Sequence, residues 1–289
     1  MPLTNVSRSA LDAERIDVLI QMGSGPSPIG DSPKRVVYEH SVELSRIRID
    51  TVADFEVRAG KLITVWPAAG TGQKDIEIFL FGPVWATLCY QRGLLPLHAS
   101  AILRDGGITA FAGHSGAGKS TTAALMHSLD YQLFADDILP IAFNENSEPG
   151  AWPYLRRLKL RRDSILQLSL TPAAPVSERL DREKYFVQPK CAADDKWSRL
   201  ERLYLIEIDA ANSSNSIERI VGAEAVRALI DQTFHRDFID LSGRLDEHLA
   251  FCSQLASRIA IYRLRRPPLL GAGKEFGSLI RAHLESTTA

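Results

Sequence analysis

The sequence predicts an α/β protein built on a mixed β-sheet, and three patterns along the chain lead to that prediction. Residues 108–112 form a short β-branched and aromatic run typical of a buried strand, and a glycine-rich loop and an Ala- and Leu-rich helix follow it. A strand over residues 95–103 precedes this run, and the turn at 105–107 makes the two strands an antiparallel hairpin. Residues 223–234 and 245–260 carry apolar residues at helical spacing.

The first 94 residues are predicted to add strands and one helix to this sheet, so that residues 1–94 extend a core formed by residues 95–289 within one continuous domain. A separate N-terminal domain is the alternative. The helix spans residues 76–91 and is expected to be buried, with a kink at Gly82-Pro83 and a glycine cap at Gly93. The other predicted strands are 16–20, two within 35–49, a hairpin over 55–66, and 131–135, 138–143, 185–187, 200–208 and 261–264; a last helix covers 276–284.

Composition and charge are those of an ordinary globular protein. The chain has 289 residues, 45% of them hydrophobic and 24% charged, with a formal net charge of −1. That balance argues against nucleic acid or an anionic membrane as a partner. Cys89, Cys191 and Cys252 are odd in number and widely spaced, which predicts buried thiols of a reducing compartment. The N-terminus does not resemble a signal peptide and residues 76–90 are too short to span a membrane, so we expect a cytoplasmic protein.

The glycine-rich loop matches the phosphate-binding P-loop (Walker A) pattern G-x-x-x-x-G-K-[ST]. Glycines let successive backbone N–H groups point into one concavity, and the N-terminus of the following helix adds its positive dipole end. The lysine then reaches the β- and γ-phosphates and the serine hydroxyl ligates Mg²⁺. The alternative is a glycine-rich turn with a solvated lysine. The residues predicted to hold the nucleotide here are Gly113, Ser115, Gly116, Ala117, Gly118, Lys119, Ser120 and Thr121.

Two further charged features accompany this loop. Asp136-Asp137 ends the strand at 131–135, where a Walker B-type Mg²⁺ ligand lies in such proteins; the alternative is a turn or helix-capping aspartate. Residues 156–162 hold five cations in seven positions, which contact phosphate or an acidic partner, or else form a solvated face.

His98, the loop with Lys119, and Asp136-Asp137, in this order and with these short gaps, resemble the catalytic domain of HPr kinase/phosphorylase. The resemblance is closest to the smaller HPr-kinase-like proteins, some of which accompany peptide-modification clusters such as those for lasso peptides. It is specific over residues 95–140 and looser elsewhere. It implies the fold shared with phosphoenolpyruvate carboxykinases, a mixed sheet with a P-loop, and it implies a homo-oligomer.

Positional matching to this family implies a role for each residue. Lys119 and Ser120 would hold the phosphates of ATP and Mg²⁺, and Asp136 would accept the proton of the attacking hydroxyl. Asp137 would be a Mg²⁺ partner, His98 would stand beside the phosphates as a third catalytic residue, and Arg266 would contact nucleotide or acceptor. Residues 149–154 lack the glutamate of the bifunctional enzymes, which argues against the reverse reaction. The family's usual N-terminal domain is not recognisable, which argues against HPr as the acceptor.

The sequence therefore predicts an ATP- and Mg²⁺-dependent kinase that phosphorylates a serine-type hydroxyl on a protein or precursor peptide. A kinase for a small-molecule hydroxyl would use the same residues and stays open. A non-enzymatic nucleotide sensor is the third alternative, although a sensor needs no proton acceptor. A guanine-selective GTPase is disfavoured because no Asn-Lys-x-Asp motif occurs.

Overall fold

The computed structural model describes residues 18–30, 36–41, 43–177, 183–210, 214–268 and 273–286. In chain order, the strands are β1 (Leu19–Met22), β2 (Val36–His40), β3 (Leu44–Ile49), β4 (Ala53–Arg58), β5 (Leu62–Pro67), β6 (Leu95–Leu97), β7 (Ala99–Arg104), β8 (Gly107–Ala112), β9 (Gln132–Ala135), β10 (Leu139–Phe143), β11 (Pro149–Ala151), β12 (Leu158–Arg161), β13 (Ala174–Pro175), β14 (Lys184–Val187), β15 (Ser198–Ile208), β16 (Ser216–Ile220) and β17 (Ala260–Arg266). The helices are α1 (Gln73–Phe79), α2 (Trp85–Gln91), α3 (Lys119–His127), α4 (Arg162–Gln167), α5 (Gly222–Asp231), α6 (Asp237–Ser242), α7 (Leu245–Arg258) and α8 (Gly273–Ser286), with a π-helical segment Leu80–Val84 between α1 and α2.

The central sheet has nine strands and is mixed, as predicted. β8, β15 and β17 run parallel to one another at its centre, and β7 pairs antiparallel with β8 on one side and β9 on the other. β16 pairs with β17, and β11, β10 and β6 continue from the start of β15. The predicted hairpin before the glycine loop is confirmed as β7–β8, with Asp105 and Gly106 at positive φ in the turn.

Helices cover both faces of this sheet, and β8 shows why it is buried on both. Ile108 and Ala110 pack into a cluster with residues of α5 and α7, whereas Phe111 packs into another cluster with α3 and α8. Successive side chains of a strand point to opposite faces, so a strand between two helical layers is mostly apolar on both. The loop that follows β8 is therefore anchored on both faces of the sheet.

The N-terminal strands form a sheet of their own, which corrects the expectation that they extend the core sheet. β1, β5, β4, β3 and β2 pair in that order, with β1 parallel to β5 and the other pairs antiparallel. Leu80, Val84 and Leu88 of the kinked helix fill the core of this sheet. The apolar face of the sheet is thus covered by its own helix. The predicted division between residues 1–94 and 95–289 stays a prediction.

Several features differ from the sequence-based expectation. The strand predicted over 95–103 is broken at His98, whose N–H donates to the carbonyl of Gln232 at 2.8 Å. β11, β12, β13, β16, α4 and α6 were not predicted, and Cys191 is exposed where a buried thiol was expected. The start of the strand predicted at 16–20 lies outside the described residues. Within the described part of the chain, no helix is long and apolar enough to cross a membrane.

The kinked helix follows the prediction. Gly82-Pro83 interrupts it within the π-helical segment, because Pro83 has no N–H for the helical hydrogen-bond ladder. α2 then ends at Gln91, and Gly93 takes a left-handed conformation with φ of 69°. This kink brings the middle of the helix to the edge of the glycine loop's cleft.

Candidate active site

The glycine-rich loop connects β8 to α3 and needs glycine at specific positions. Gly113, Gly116 and Gly118 all have positive φ, of 147°, 83° and 103°. A Cβ built at Gly113 would lie 2.6 Å from the carbonyl oxygen of Ile206, a contact that a side chain cannot make. The loop therefore passes too close to β15 for any other residue at Gly113.

Lys119, the first residue of α3, folds back over this loop. Its Nζ donates to the carbonyl oxygens of Gly113 at 2.9 Å and His114 at 3.4 Å. Burial lowers the pKa of Lys119, because the ammonium group is held among neutral carbonyls with no directly bonded carboxylate. A buried cation in this environment is stabilised by an anion that enters the loop.

Asp136 lies at the end of β9 and is 2% exposed. Its Oδ1 accepts hydrogen bonds from Ser100 Oγ at 2.7 Å and Ser120 Oγ at 2.8 Å, and its Oδ2 accepts one from the Lys159 N–H at 2.8 Å. All three donors are neutral. Burial raises the pKa of Asp136, since these donors offset only part of the lost hydration of the carboxylate. A buried carboxylate held only by neutral donors provides a fitting place for a cation.

Asp137 differs from Asp136 in exposure and in partners. Its side chain is 27% exposed, Lys159 Nζ donates to its Oδ2 at 2.8 Å, and His98 Nε2 lies 3.6 Å from its Oδ1. Burial alone would raise the pKa of Asp137, but the Lys159 ammonium outweighs burial and the pKa is lowered. Burial, reinforced by Lys119, lowers the pKa of His98 to about 4, so this histidine is neutral at pH 7.

Arg266 at the end of β17 supports the loop from behind. Its guanidinium Nε and Nη2 donate to the carbonyl oxygen of Ala117 at 3.2 and 3.0 Å. Burial lowers the pKa of Arg266. Arg266 also lines the cleft described next. Its expected contact with nucleotide or acceptor stays a prediction.

The predicted residues meet in a cleft of about 880 Å³. Gly113 and Ala117 belong to the loop but do not line the cleft: Gly113 packs against β15, and the Ala117 carbonyl accepts from Arg266. Among the described residues, no group of three or more His, Cys, Asp or Glu side chains could hold a metal by itself. The predicted site residues that line the cleft are His98, Ser115, Gly116, Gly118, Lys119, Ser120, Thr121, Asp136, Asp137 and Arg266.

Three site residues were not singled out from the sequence. Ser100 binds Asp136, and Lys159 binds both aspartates through its backbone and its side chain. Gln232 accepts the Gly113 N–H on its Oε1 at 2.8 Å, while its backbone carbonyl accepts the His98 N–H. The sequence hints at a role for Lys159, because it is a cation between two apolar residues of a strand. No local sequence feature points to Ser100 or Gln232.

The cationic run at 156–162 is divided between the two predicted roles. Lys159 points into the cleft, whereas Arg156 pairs with Asp195 at 2.8 Å and Arg161 with Glu183 at 2.6 Å. Lys159 and Arg161 are two residues apart on β12 and share one face of the strand, whereas Arg156 precedes the strand. Arg161 follows at the strand end and also lines the cleft.

Comparison with known proteins adds little to this geometry. No family model matches the chain, and no curated protein sequence matches it. Among solved structures, that of the Hpr(Ser) kinase/phosphatase from Coxiella burnetii matches with 12% identity over 67% of this chain and 92% of that chain, at a TM-score of 0.33. A likeness of this size establishes neither a shared fold nor a shared activity.

Proposed function

We propose that this protein is an ATP- and Mg²⁺-dependent kinase that transfers the γ-phosphoryl group to a serine-type hydroxyl of a protein or precursor peptide. One observation carries the proposal: the hydroxyl of Ser120, directly after the loop lysine, donates to the buried carboxylate of Asp136 at 2.8 Å. A glycine loop, its lysine, its serine and a strand-end carboxylate are the set that holds a Mg²⁺–triphosphate in P-loop enzymes. A second carboxylate, Asp137, lies beside them in the same cleft.

Ser120 and Asp136 are the residues that would hold Mg²⁺. Hydroxyl and carboxylate oxygens are ligands that Mg²⁺ prefers, and substrate phosphates complete such sites. When bound, the ion would neutralise charge on the phosphate oxygens. The neutral donors around Asp136 leave its negative charge for such an ion to balance.

The geometry supports a division of the two carboxylates opposite to the one that the family resemblance implies. A proton acceptor must be open to the hydroxyl of a bulky acceptor, and Asp136 is only 2% exposed. Asp137 is more exposed and lines the cleft. The pKa values point the other way, since that of Asp136 is raised and that of Asp137 is lowered. We give the exposure of Asp137 more weight than the higher pKa of Asp136, because phosphoryl transfer requires little proton removal in a loose transition state.

In the proposed step, the acceptor oxygen bonds to the γ-phosphorus, the bond from that phosphorus to ADP breaks, and the hydroxyl proton passes to Asp137. Lys119 neutralises the β- and γ-phosphates. Lys159 holds Asp137 before the nucleotide arrives. Lys159 is also the cation that lowers the pKa of Asp137.

Intact-mass spectrometry tests the proposal. Serine-containing peptides and HPr are incubated with the protein, ATP and Mg²⁺, and Lys119→Met serves as the inactive control. A phosphate added to a peptide only by the wild type supports the peptide kinase. Turnover with a small metabolite alone favours the small-molecule kinase, and ATP binding without any transfer favours the sensor.

A further inference from the structure

The segment between α5 and α6 runs beside β6 at the edge of the cleft. The His98 N–H donates to the Gln232 carbonyl at 2.8 Å. Two residues further on, the Phe234 N–H donates to the Pro96 carbonyl, also at 2.8 Å. An antiparallel bridge joins the two stretches between these bonds. Residues 232–234 therefore hold the backbone of His98 as an added antiparallel strand would.

Phe234 connects this segment to the groups proposed to act in transfer. Its side chain lines the cleft, and its ring packs edge-on against the His98 ring with centroids 5.2 Å apart. His98 Nε2 in turn lies 3.6 Å from Oδ1 of Asp137, the proposed proton acceptor. A displacement of Phe234 would therefore displace the ring that stands beside Asp137.

Tyr90 holds Phe234 from outside the cleft. It lies near the end of α2, and its hydroxyl donates to the Phe234 carbonyl at 2.5 Å. Tyr90 is not one of the described residues that line the cleft. Two further contacts fix Tyr90 itself: its ring packs edge-on against Phe238 with centroids 6.2 Å apart, and Arg244 Nη1 donates to its carbonyl at 3.2 Å. Tyr90 thus joins α2 to the segment that borders the cleft.

The residue after Phe234 has a strained backbone. His235 has a φ of 50°, in the left-handed region that residues with a side chain adopt uncommonly. It also lines the cleft, and its ring stacks on Phe238 with centroids 5.5 Å apart. Strain of this kind persists only where the surrounding contacts over-determine the conformation. The Tyr90 bond just before His235 and the buried Phe238 just after it provide such contacts.

We propose that Tyr90 is a positioning residue for phosphoryl transfer: through the Phe234 carbonyl it holds His98 beside the proposed proton acceptor. The proposal rests on the proposed function, because it assigns the positioned groups to the transfer step. The glycine loop is held separately, by the side chain of Gln232. Loss of the Tyr90 hydroxyl should therefore slow transfer without weakening the binding of ATP.

Tyr90→Phe is the test variant, because it removes only the hydroxyl and its bond to Phe234. Tyr204→Phe is the matched control. It removes a hydroxyl that is bonded to His283 Nδ1 at 2.7 Å, and neither of these two residues is among the described residues of the cleft lining. Phe234→Leu and the double variant Tyr90→Phe/Phe234→Leu complete a double-mutant cycle.

Two kinds of measurement are made on each variant. Steady-state kinetics of phosphorylation give kcat, and calorimetric titration gives the affinity for ATP with Mg²⁺. Amide hydrogen exchange of His98 and Phe234, followed by NMR without nucleotide, reports how firmly the segment is held and needs no activity.

Tyr90→Phe should lower kcat about three- to tenfold, as expected for one hydrogen bond, and leave the affinity for ATP within about twofold of wild type. In the Phe234→Leu background the same substitution should lower kcat no further, because Tyr90 acts through Phe234. The His98 and Phe234 amides should exchange about three- to tenfold faster in Tyr90→Phe. Tyr204→Phe should match the wild type in all of these measurements.

An unchanged kcat, unchanged amide exchange, additive losses in the double variant, or an equal loss of kcat in Tyr204→Phe would overturn the positioning role. Faster exchange in Tyr90→Phe, with no transfer by the wild type to any acceptor, would reject the proposed function and still support the hold of Tyr90 on His98.

Discussion

Replacing Asp136 with asparagine should leave the protein folded and at least as stable as wild type at pH 7, while removing Mg²⁺-dependent binding of ATP. The amide oxygen can accept the fixed Lys159 N–H, and the amide NH₂ then faces the hydroxyls of Ser100 and Ser120, which can rotate to accept. The substitution also removes a buried charge that only neutral donors hold.

The pH dependence of stability follows from the raised pKa. The folded state binds the Asp136 proton more tightly than the unfolded state does, so this carboxyl lowers stability as pH rises through its titration. The asparagine variant lacks that dependence, and its Tm relative to wild type should therefore be higher at pH 7.5 than at pH 4.

Asp136→Leu provides the contrast in magnitude. Leucine leaves the buried Lys159 N–H without an acceptor, which costs about 1–3 kcal/mol, whereas the two hydroxyls can turn to other partners. For a protein of this size, that cost lowers the Tm by roughly 2–10 °C. Thermal unfolding without nucleotide measures both variants, and calorimetric titration with ATP in the presence and absence of Mg²⁺ measures binding.

Asp137→Asn completes the comparison and separates the two carboxylate roles. It should retain Mg²⁺-dependent ATP binding and lose transfer by about a hundredfold or more, the range of general acid–base catalysis. If Asp136→Asn instead keeps Mg²⁺-dependent ATP binding while Asp137→Asn loses it, the proposed division is refuted. An Asp136→Asn protein as unstable as Asp136→Leu would show that the charge itself is needed for folding.

Three other substitutions test the loop and its surroundings. Gly113→Ala places a Cβ 2.6 Å from the Ile206 carbonyl oxygen at a φ of 147°, so chemical denaturation should show a loss of about 1–3 kcal/mol, more than for Gly116→Ala, which meets open space; equal losses would contradict this view of the loop. Gln232→Met removes the acceptor of the Gly113 N–H and should weaken ATP binding about tenfold, whereas Gln232→Glu keeps an acceptor oxygen; wild-type affinity in the methionine variant would exclude a positioning role. His98→Gln should lessen the loss of stability on acidification. The folded state lowers the His98 pKa from 6.5 to about 4, so the stability that the neutral histidine contributes disappears as pH falls through that interval. Parallel stability curves for the two proteins would argue against a buried neutral histidine.

The loop was predictable because its determinants are contiguous in sequence. Glycine occurs where the backbone has positive φ, and Lys119 bonds to carbonyls five and six residues before it. The contacts of Asp136 were not predictable, since Ser100 lies 36 residues before it and Lys159 23 residues after it. A serine on a strand or a lysine in a cationic run has no local feature that reveals such a partner.

The N-terminal sheet shows the same limit at the level of the fold. Alternation along β4 and β5 predicts strands with one buried face, and both strands are present. The pattern is identical whether another sheet or a helix covers that face. Here the kinked helix covers it, through Leu80, Val84 and Leu88. Likewise, β6 and β7 are continuous in pattern, yet β6 pairs with β10 whereas β7 pairs with β8 and β9, and the His98 N–H between them bonds to the Gln232 carbonyl.

The sequence by itself determined the mixed α/β class, the hairpin before the loop, the loop conformation and the kink at Gly82-Pro83, because each depends on residues close together in the chain. Only the tertiary structure decided which groups surround Asp136 and Asp137, that Gln232 joins Gly113 to His98, and that apolar residues of α1 face the cleft. Local backbone preferences act over a few residues, whereas hydrogen bonds and packing join segments that the sequence does not place side by side.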